Sequence, residues 1–331
     1  MNDIIYSKTM QIDSDTVICH SIISDADKGG FIMVYTVTFN PAIDYVVQAD
    51  DIAVGSVNRT RNEKIYFGGK GINVSMVLSE LEIKSKALGF VAGFTGEAIE
   101  KGVAEIGIEA DFVRLEKGFS RINVKIKSGC ETELNGQGPY IDERALGKLF
   151  AKLDDISDGD TIVLAGSIPK SMPADIYERL LERLQGRKIK AVVDATGDLL
   201  MNVLKYRPFL IKPNNHELSE MFGVDLKTTD EIAEYAKRLK DMGAQNVLIS
   251  MAGNGALLID ENGKTHICGV CKGEVKNSVG AGDSMVAGFI AGSADGDYEY
   301  ALKLGTAAGG ATAFSDGLAK KELIFELLKQ L

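Results

Sequence analysis

Long apolar runs, an excess of basic residues and a cysteine framework are all missing from this 331-residue sequence, and each absence removes a class of function. No stretch approaches the roughly 18 consecutive apolar residues of a membrane span, so the chain reads as soluble with no membrane partner. Lysine and arginine number 37 against 47 aspartates and glutamates, a net charge of -10 that offers nucleic acid no basic face. Four cysteines, Cys19, Cys130, Cys268 and Cys271, are too few and too scattered for a disulfide framework and suit a reducing compartment. Cys268 and Cys271 form a Cys-x-x-Cys without a second ligand pair. In one strand with His266, alternation would turn the two sulfurs to opposite faces. Gly253-Asn254-Gly255 lacks the third glycine and following helix of a dinucleotide fingerprint. Gly68-Gly69-Lys70 is not a Walker A loop, because no Ser or Thr completes the frame.

What is present is a large apolar fraction, 45% of residues, and an alternation of strand and helix patterns. Strands are expected at 34–39, 87–91, 161–165, 190–194, 208–212 and 246–251. Helices are expected at 74–81, 96–106, 142–153, 173–185, 215–222 and 228–242, then 283–293, 297–313 and 320–330. That order predicts an α/β fold with a largely parallel sheet covered on both faces. A meander is expected after residue 247, with Asn262-Gly263 as its hairpin signal and a last strand at 265–270. Short β-like runs at 43–54 and 64–67 with no helix between them predict a small separate sheet, and the helix-free segment 119–135 reads as its other part. Residues 1–32 carry five aspartates and two lysines with no clean period. They are expected to be a non-native or poorly ordered extension, with Met33 as the natural start.

Two glycine-rich turns stand out. Asn277-Ser278-Val279-Gly280-Ala281-Gly282-Asp283-Ser284 precedes an apolar helix. Free amides at a helix start receive anionic charge, and a carboxylate beside them can take a proton. An ordinary turn capped by Asp would read the same way. Phe67-Gly68-Gly69-Lys70-Gly71-Ile72-Asn73 leads into another helix, with Lys70 and Asn73 where a phosphorylated or hydroxylated ligand could meet them.

These two turns, together with Lys212-Pro213-Asn214-Asn215-His216-Glu217, closely resemble the PfkB (ribokinase-like) family of carbohydrate kinases, from Met33 to the C-terminus. The resemblance implies a three-layer α/β/α kinase domain over 33–331, with a β-sheet lid from about 43–67 and 119–138. It implies Asp283 as catalytic base, with Gly280, Ala281 and Gly282 as the anion hole. Asp44, Gly69, Lys70, Asn73 and Arg121 match substrate positions, and Arg59 matches one that can come from a partner subunit. Lys212, Ser250, Gly253 and Gly255 fall on the ATP side. Asn214 and Glu217 match positions that organise ATP and Mg2+, the metal being held through water. A monovalent cation site near Asn277, Val279, Ser315 and Gly317 occurs in some relatives.

Thr38-Phe39-Asn40-Pro41-Ala42-Ile43-Asp44 and Glu131-Thr132-Glu133-Leu134-Asn135-Gly136-Gln137-Gly138-Pro139 look most like the branch that phosphorylates sugar phosphates. The implied reaction is ATP with D-fructose 1-phosphate giving D-fructose 1,6-bisphosphate, in a homodimer joined through the lid. The alternative acceptor is tagatose 6-phosphate. A non-catalytic sugar-phosphate sensor is the reading from another class.

Overall fold

The computed structural model describes residues 32–331, so the expectation for 1–32 lies, but for Ile32, outside the described residues. The main sheet has ten strands. Its edge-to-edge order is β14 (Thr265–Cys268), β13 (Ala256–Ile259), β12 (Asn246–Ser250), β11 (Leu210–Ile211), β10 (Lys190–Asp194), β9 (Thr161–Ala165), β1 (Val34–Thr38), β4 (Ser85–Ala92) and β5 (Glu109–Ala110). A tenth strand, β6 (Val113–Leu115), pairs with β4. Only the pairs β12–β13 and β13–β14 are antiparallel.

Alternation along each strand feeds two cores. Tyr35, Val37, Ile162, Leu164, Val193, Val247 and Ile249 enter one. Val34, Val163, Val192 and Leu248 enter the other. The first is closed by α3 (Glu143–Lys152), α4 (Ile176–Arg183), α5 (Gly197–Val203), α6 (Asn215–Phe222) and α7 (Thr229–Asp241). The second is closed by α1 (Lys70–Glu80), α8 (Ala281–Gly292), α9 (Tyr298–Ala313) and α10 (Lys321–Leu328). Helix α2 (Gly93–Glu105) closes a third cluster with Ile43, Ile72 and Val91. Continuous apolar strands buried on both faces are what a parallel sheet between helices requires.

A second sheet of four strands has the order β3 (Asn62–Gly68), β2 (Ala42–Gln48), β7 (Arg121–Lys127) and β8 (Thr132–Asn135). The run expected at 43–54 stops at Gln48. Beyond it, Asn58 bonds the backbone of Ala53 and Ser56 and holds a loop instead. Strand β3 starts two residues before the run expected at 64–67, and its Asn62, Lys64 and Tyr66 line a cavity rather than a core. Helix α1 starts at Lys70, four residues earlier than its apolar period suggests. The meander ends at Cys268, so strand alternation does not govern Cys271; both thiols are buried in the same core. Burial pushes the Cys271 thiol up to about 11.

Candidate active site

The carboxyl ends of β1, β9, β10, β11 and β12 converge on one rim of the sheet, where α1 and α8 also begin. Crevices outside strand carboxyl ends are the usual binding place in open α/β sheets. A cavity of about 970 Å³ opens there, lined by Thr38, Asn40, Lys70, Arg121, Lys170 and Asp194 among others. A second cavity of about 290 Å³ lies between the small sheet and the starts of α1 and α8, with Asp44, Lys125, Asn73 and Val279 in its wall.

Two glycines allow the helix entries. A Cβ on Gly69, whose φ is 129°, would stand 2.5 Å from Thr38 Cγ2. One on Gly280, φ 82°, would meet Leu318 Cδ2 at 2.6 Å. Asp283 follows in the first turn of α8 and is only 5% exposed. Asn73 Nδ2, one turn into α1, donates to Asp283 Oδ2 at 2.8 Å. Burial, with the nearby Asp194 carboxylate, pushes Asp283 up to about 7 against the opposing pull of Asn73, Lys70 and Lys212. Of the three small residues before it, Ala281 spends its amide on Ser278 O at 3.2 Å. Gly282 leaves room for Lys212 Nζ, 3.2 Å from where a Cβ would be.

Asp194, at the end of β10, drew no notice in the sequence. It accepts from Lys70 Nζ at 3.1 Å on Oδ2 and from Lys212 Nζ at 3.2 Å on Oδ1. Burial alone would raise its pKa, and the two lysines outweigh that and hold it below the usual carboxylate range. Lys70 is pulled down by burial and pushed up more strongly by Asp194 and Asp283, so it stays charged. The only sequence signal was an Asp ending an apolar strand. Lys125 and Asn123 were also missed. They bond the two oxygens of Asp44, Lys125 Nζ at 3.3 Å and Asn123 Nδ2 at 2.8 Å. Their alternate spacing on β7 was the available sign.

Arg121 donates from Nε to Asn40 O at 3.1 Å, and burial lowers its pKa with only Asp44 opposing. It forms no ion pair among the described residues, so its cationic fork faces the cavity without an anion. Asn214 and Glu217 form a capping box on α6. Asn214 Oδ1 accepts from Glu217 N and Glu217 Oε2 from Asn214 N, both at 2.8 Å. Asn214 also bridges to Ser250. Gly255 has φ 85°, and a Cβ there would lie 2.1 Å from Cys268 O. The bridge places Ser250 beside Asn214, and Ser250, Gly253 and Gly255 line neither cavity. Asn277, Val279 and Gly317 line the smaller cavity. Asn277 N donates to Ala313 O, two residues before Ser315. Arg59 is exposed on the loop between β2 and β3 and is not brought to either cavity.

The family model "pfkB family carbohydrate kinase" matches residues 34–323. A 1-phosphofructokinase of Bacillus subtilis is 46% identical over 300 residues, covering 90% of this chain and 98% of the relative. A D-tagatose-1-phosphate kinase of Bacillus licheniformis is 38% identical, covering 90% and 98%. Among solved structures, phosphofructokinase-2 of Escherichia coli in complex with substrates and products superposes with a TM-score of 0.85 at 25% identity, covering 91% and 99%.

Proposed function

The chain belongs to the pfkB family of carbohydrate kinases, and from that membership we propose that it transfers a phosphoryl group from ATP to the 6-hydroxyl of D-fructose 1-phosphate. The observation that carries the reading is Asp283. It is a buried carboxylate at the mouth of a glycine-opened helix, bonded to Asn73 and flanked by two lysines that Asp194 holds. With its pKa near 7, the carboxylate is poised to take the proton of the attacking hydroxyl in neutral solution. Lys212 and the amides of Gly280 and Gly282, the Ala281 amide being bonded to Ser278, receive the charge that develops on the transferred group. Arg121 and Lys70 hold the phosphate end of the sugar. Asp44 and Asn73 orient its hydroxyls, and Ser250, Gly253 and Gly255 face the nucleotide.

Asn214 and Glu217 suit a magnesium ion held through water. Their capping bonds leave Glu217 Oε1 without a partner among the described residues, and hard oxygen donors are what that ion takes. Magnesium, when bound, would neutralise charge on the ATP phosphates. A potassium complex has been solved for the Escherichia coli relative. A monovalent cation near Asn277, Val279, Ser315 and Gly317 is the corresponding proposal here. Free thiols at Cys130, Cys268 and Cys271 suit a cytoplasmic protein.

The small sheet serves in this reading as a lid and as the contact of a homodimer. Ile65, Tyr45, Val124 and Leu134 fall in one register row across its four strands. Ile65 is 60% and Leu134 61% exposed on the face turned away from Asp44. A second copy of the same face would cover that row, and Arg59 would then reach the partner's site.

The experiment is ADP release with fructose 1-phosphate, tagatose 1-phosphate, tagatose 6-phosphate and fructose 6-phosphate. Fructose 1-phosphate is expected to give the highest kcat/KM. The tagatose-1-phosphate kinase relative makes tagatose 1-phosphate the second reading, in place of tagatose 6-phosphate. Binding of sugar phosphate with no ADP release would support a sensor instead.

A further inference from the structure

Asp194 holds one lysine on each side of the proposed transfer. Lys70 rises from the start of α1 and lines the larger cavity, where the sugar phosphate would lie. Lys212 follows β11 and packs against Gly282 in the turn that faces the nucleotide. Their two ammonium groups are held by opposite oxygens of one carboxylate, 3.1 and 3.2 Å away. Asp194 is 3% exposed, and Gly166 N donates to its backbone carbonyl at 3.3 Å, fixing the end of β10 against the loop after β9. We infer that Asp194 is a positioning residue that sets Lys70 on the sugar-phosphate side and Lys212 on the nucleotide side, so that the two substrates meet one shared counter-charge. The inference rests on the kinase reading above.

The charge count explains why one carboxylate serves two lysines. Asp283 and Asp194 bring two negative charges to the rim, and Lys70 and Lys212 bring two positive ones. A buried carboxylate without a partner is strongly unfavourable, and a lysine without one is a flexible chain whose ammonium wanders. Fixing both lysines before substrate arrives is the preorganisation that electrostatic catalysis needs. Groups facing Asp283 from the surrounding elements are Asn73 and Lys70 of α1, Asp194 of β10 and Lys212 after β11.

The test is a pair of double-mutant cycles in the full chain, read by steady-state kinetics. Asp194→Asn is expected to raise KM for fructose 1-phosphate and for ATP, each about tenfold or more. In a Lys70→Met background the further effect of Asp194→Asn on the sugar-phosphate KM is expected to shrink to under about twofold, while its effect on the ATP KM persists. In a Lys212→Met background the pattern reverses. Multiplicative effects on both constants would overturn the inference, as would full recovery of Asp194→Asn by excess magnesium, which would assign the carboxylate to the metal. Should Asp194→Asn fail to fold, the Lys70→Met and Lys212→Met pair replaces it. Coupling through a shared carboxylate makes their combined loss in kcat/KM depart from the product of the single losses by about threefold or more, and a simple product overturns the idea. A wild-type chain inactive on every sugar phosphate sinks the kinase reading itself; simple products in an active enzyme sink only this inference.

Discussion

Asn73 Nδ2 donates to Asp283 Oδ2 across 2.8 Å and so ties the entry of α1 to the entry of α8, two helices more than two hundred residues apart in the chain. That bond favours the ionised carboxylate, against burial and Asp194, which favour the protonated one. With Asp283 as the proposed base, kcat/KM should climb with pH through about 7. Asn73→Ala removes a bond that lowers the pKa. Its acid limb should therefore shift to higher pH, with a larger loss of rate at pH 6.5 than at 8.5, measured as a kcat/KM profile at fixed ionic strength.

Asp283→Asn should lower kcat by several orders of magnitude while leaving nucleotide binding intact. It should also stabilise the fold at high pH. The folded pKa lies above the unfolded one, so ionisation in the native state is a cost that sets in as pH rises from about 4 to 7 and is complete above that. Relief of that cost is worth on the order of a few kcal/mol above pH 7 and nothing near pH 3. Thermal melts of both proteins at pH 5 and pH 8.5 check this. A Tm gain for the variant that grows with pH is the expected result.

Arg121→Ala should raise KM for the sugar phosphate by about 10- to 100-fold with a smaller change in kcat, since a charge-assisted bond is worth roughly 1.5–3 kcal/mol. Steady-state titration of each substrate separates the outcomes. A change confined to the ATP constant would mean that the phosphate end of the sugar lies elsewhere.

Ile65→Asp combined with Leu134→Asp places two like charges in the exposed row of the small sheet. Light scattering is expected to show a dimer for the natural chain and a monomer for the variant. If Arg59 completes the partner's site, the monomer should also show a raised sugar-phosphate KM, matched by Arg59→Ala in the dimer. A variant that stays dimeric would place the contact on another face.

The layered fold was legible because apolar strands buried on both faces leave a strong mark in sequence, as Ile162, Val163 and Leu164 do in β9. The Asp283 turn was legible because glycine and acid stand side by side. Asp194 was not, since one carboxylate ending a strand has no local signature; its meaning arises only when β10 is seated beside β11 and opposite α1. Lys70 read as a loop residue because Gly71 breaks the helical period, yet that glycine is where α1 passes Val37 O, 2.9 Å from a hypothetical Cβ. The start of β3 was hidden for a different reason. Its polar residues face a cavity, and hydrophobic periodicity reports only faces that meet a core.

The short passage from β1 to β2 has a mechanical meaning. Thr38 ends one strand and Ala42 begins the next, so at this crossing only three residues, one of them Pro41, join the large sheet to the small one. Such a tether has little slack, and its middle residue, Asn40, presents the carbonyl that receives Arg121. Were the small sheet to move as the proposed cover, its swing would pull on that carbonyl and so shift Arg121, coupling the proposed grip on an anion to the tilt of the sheet.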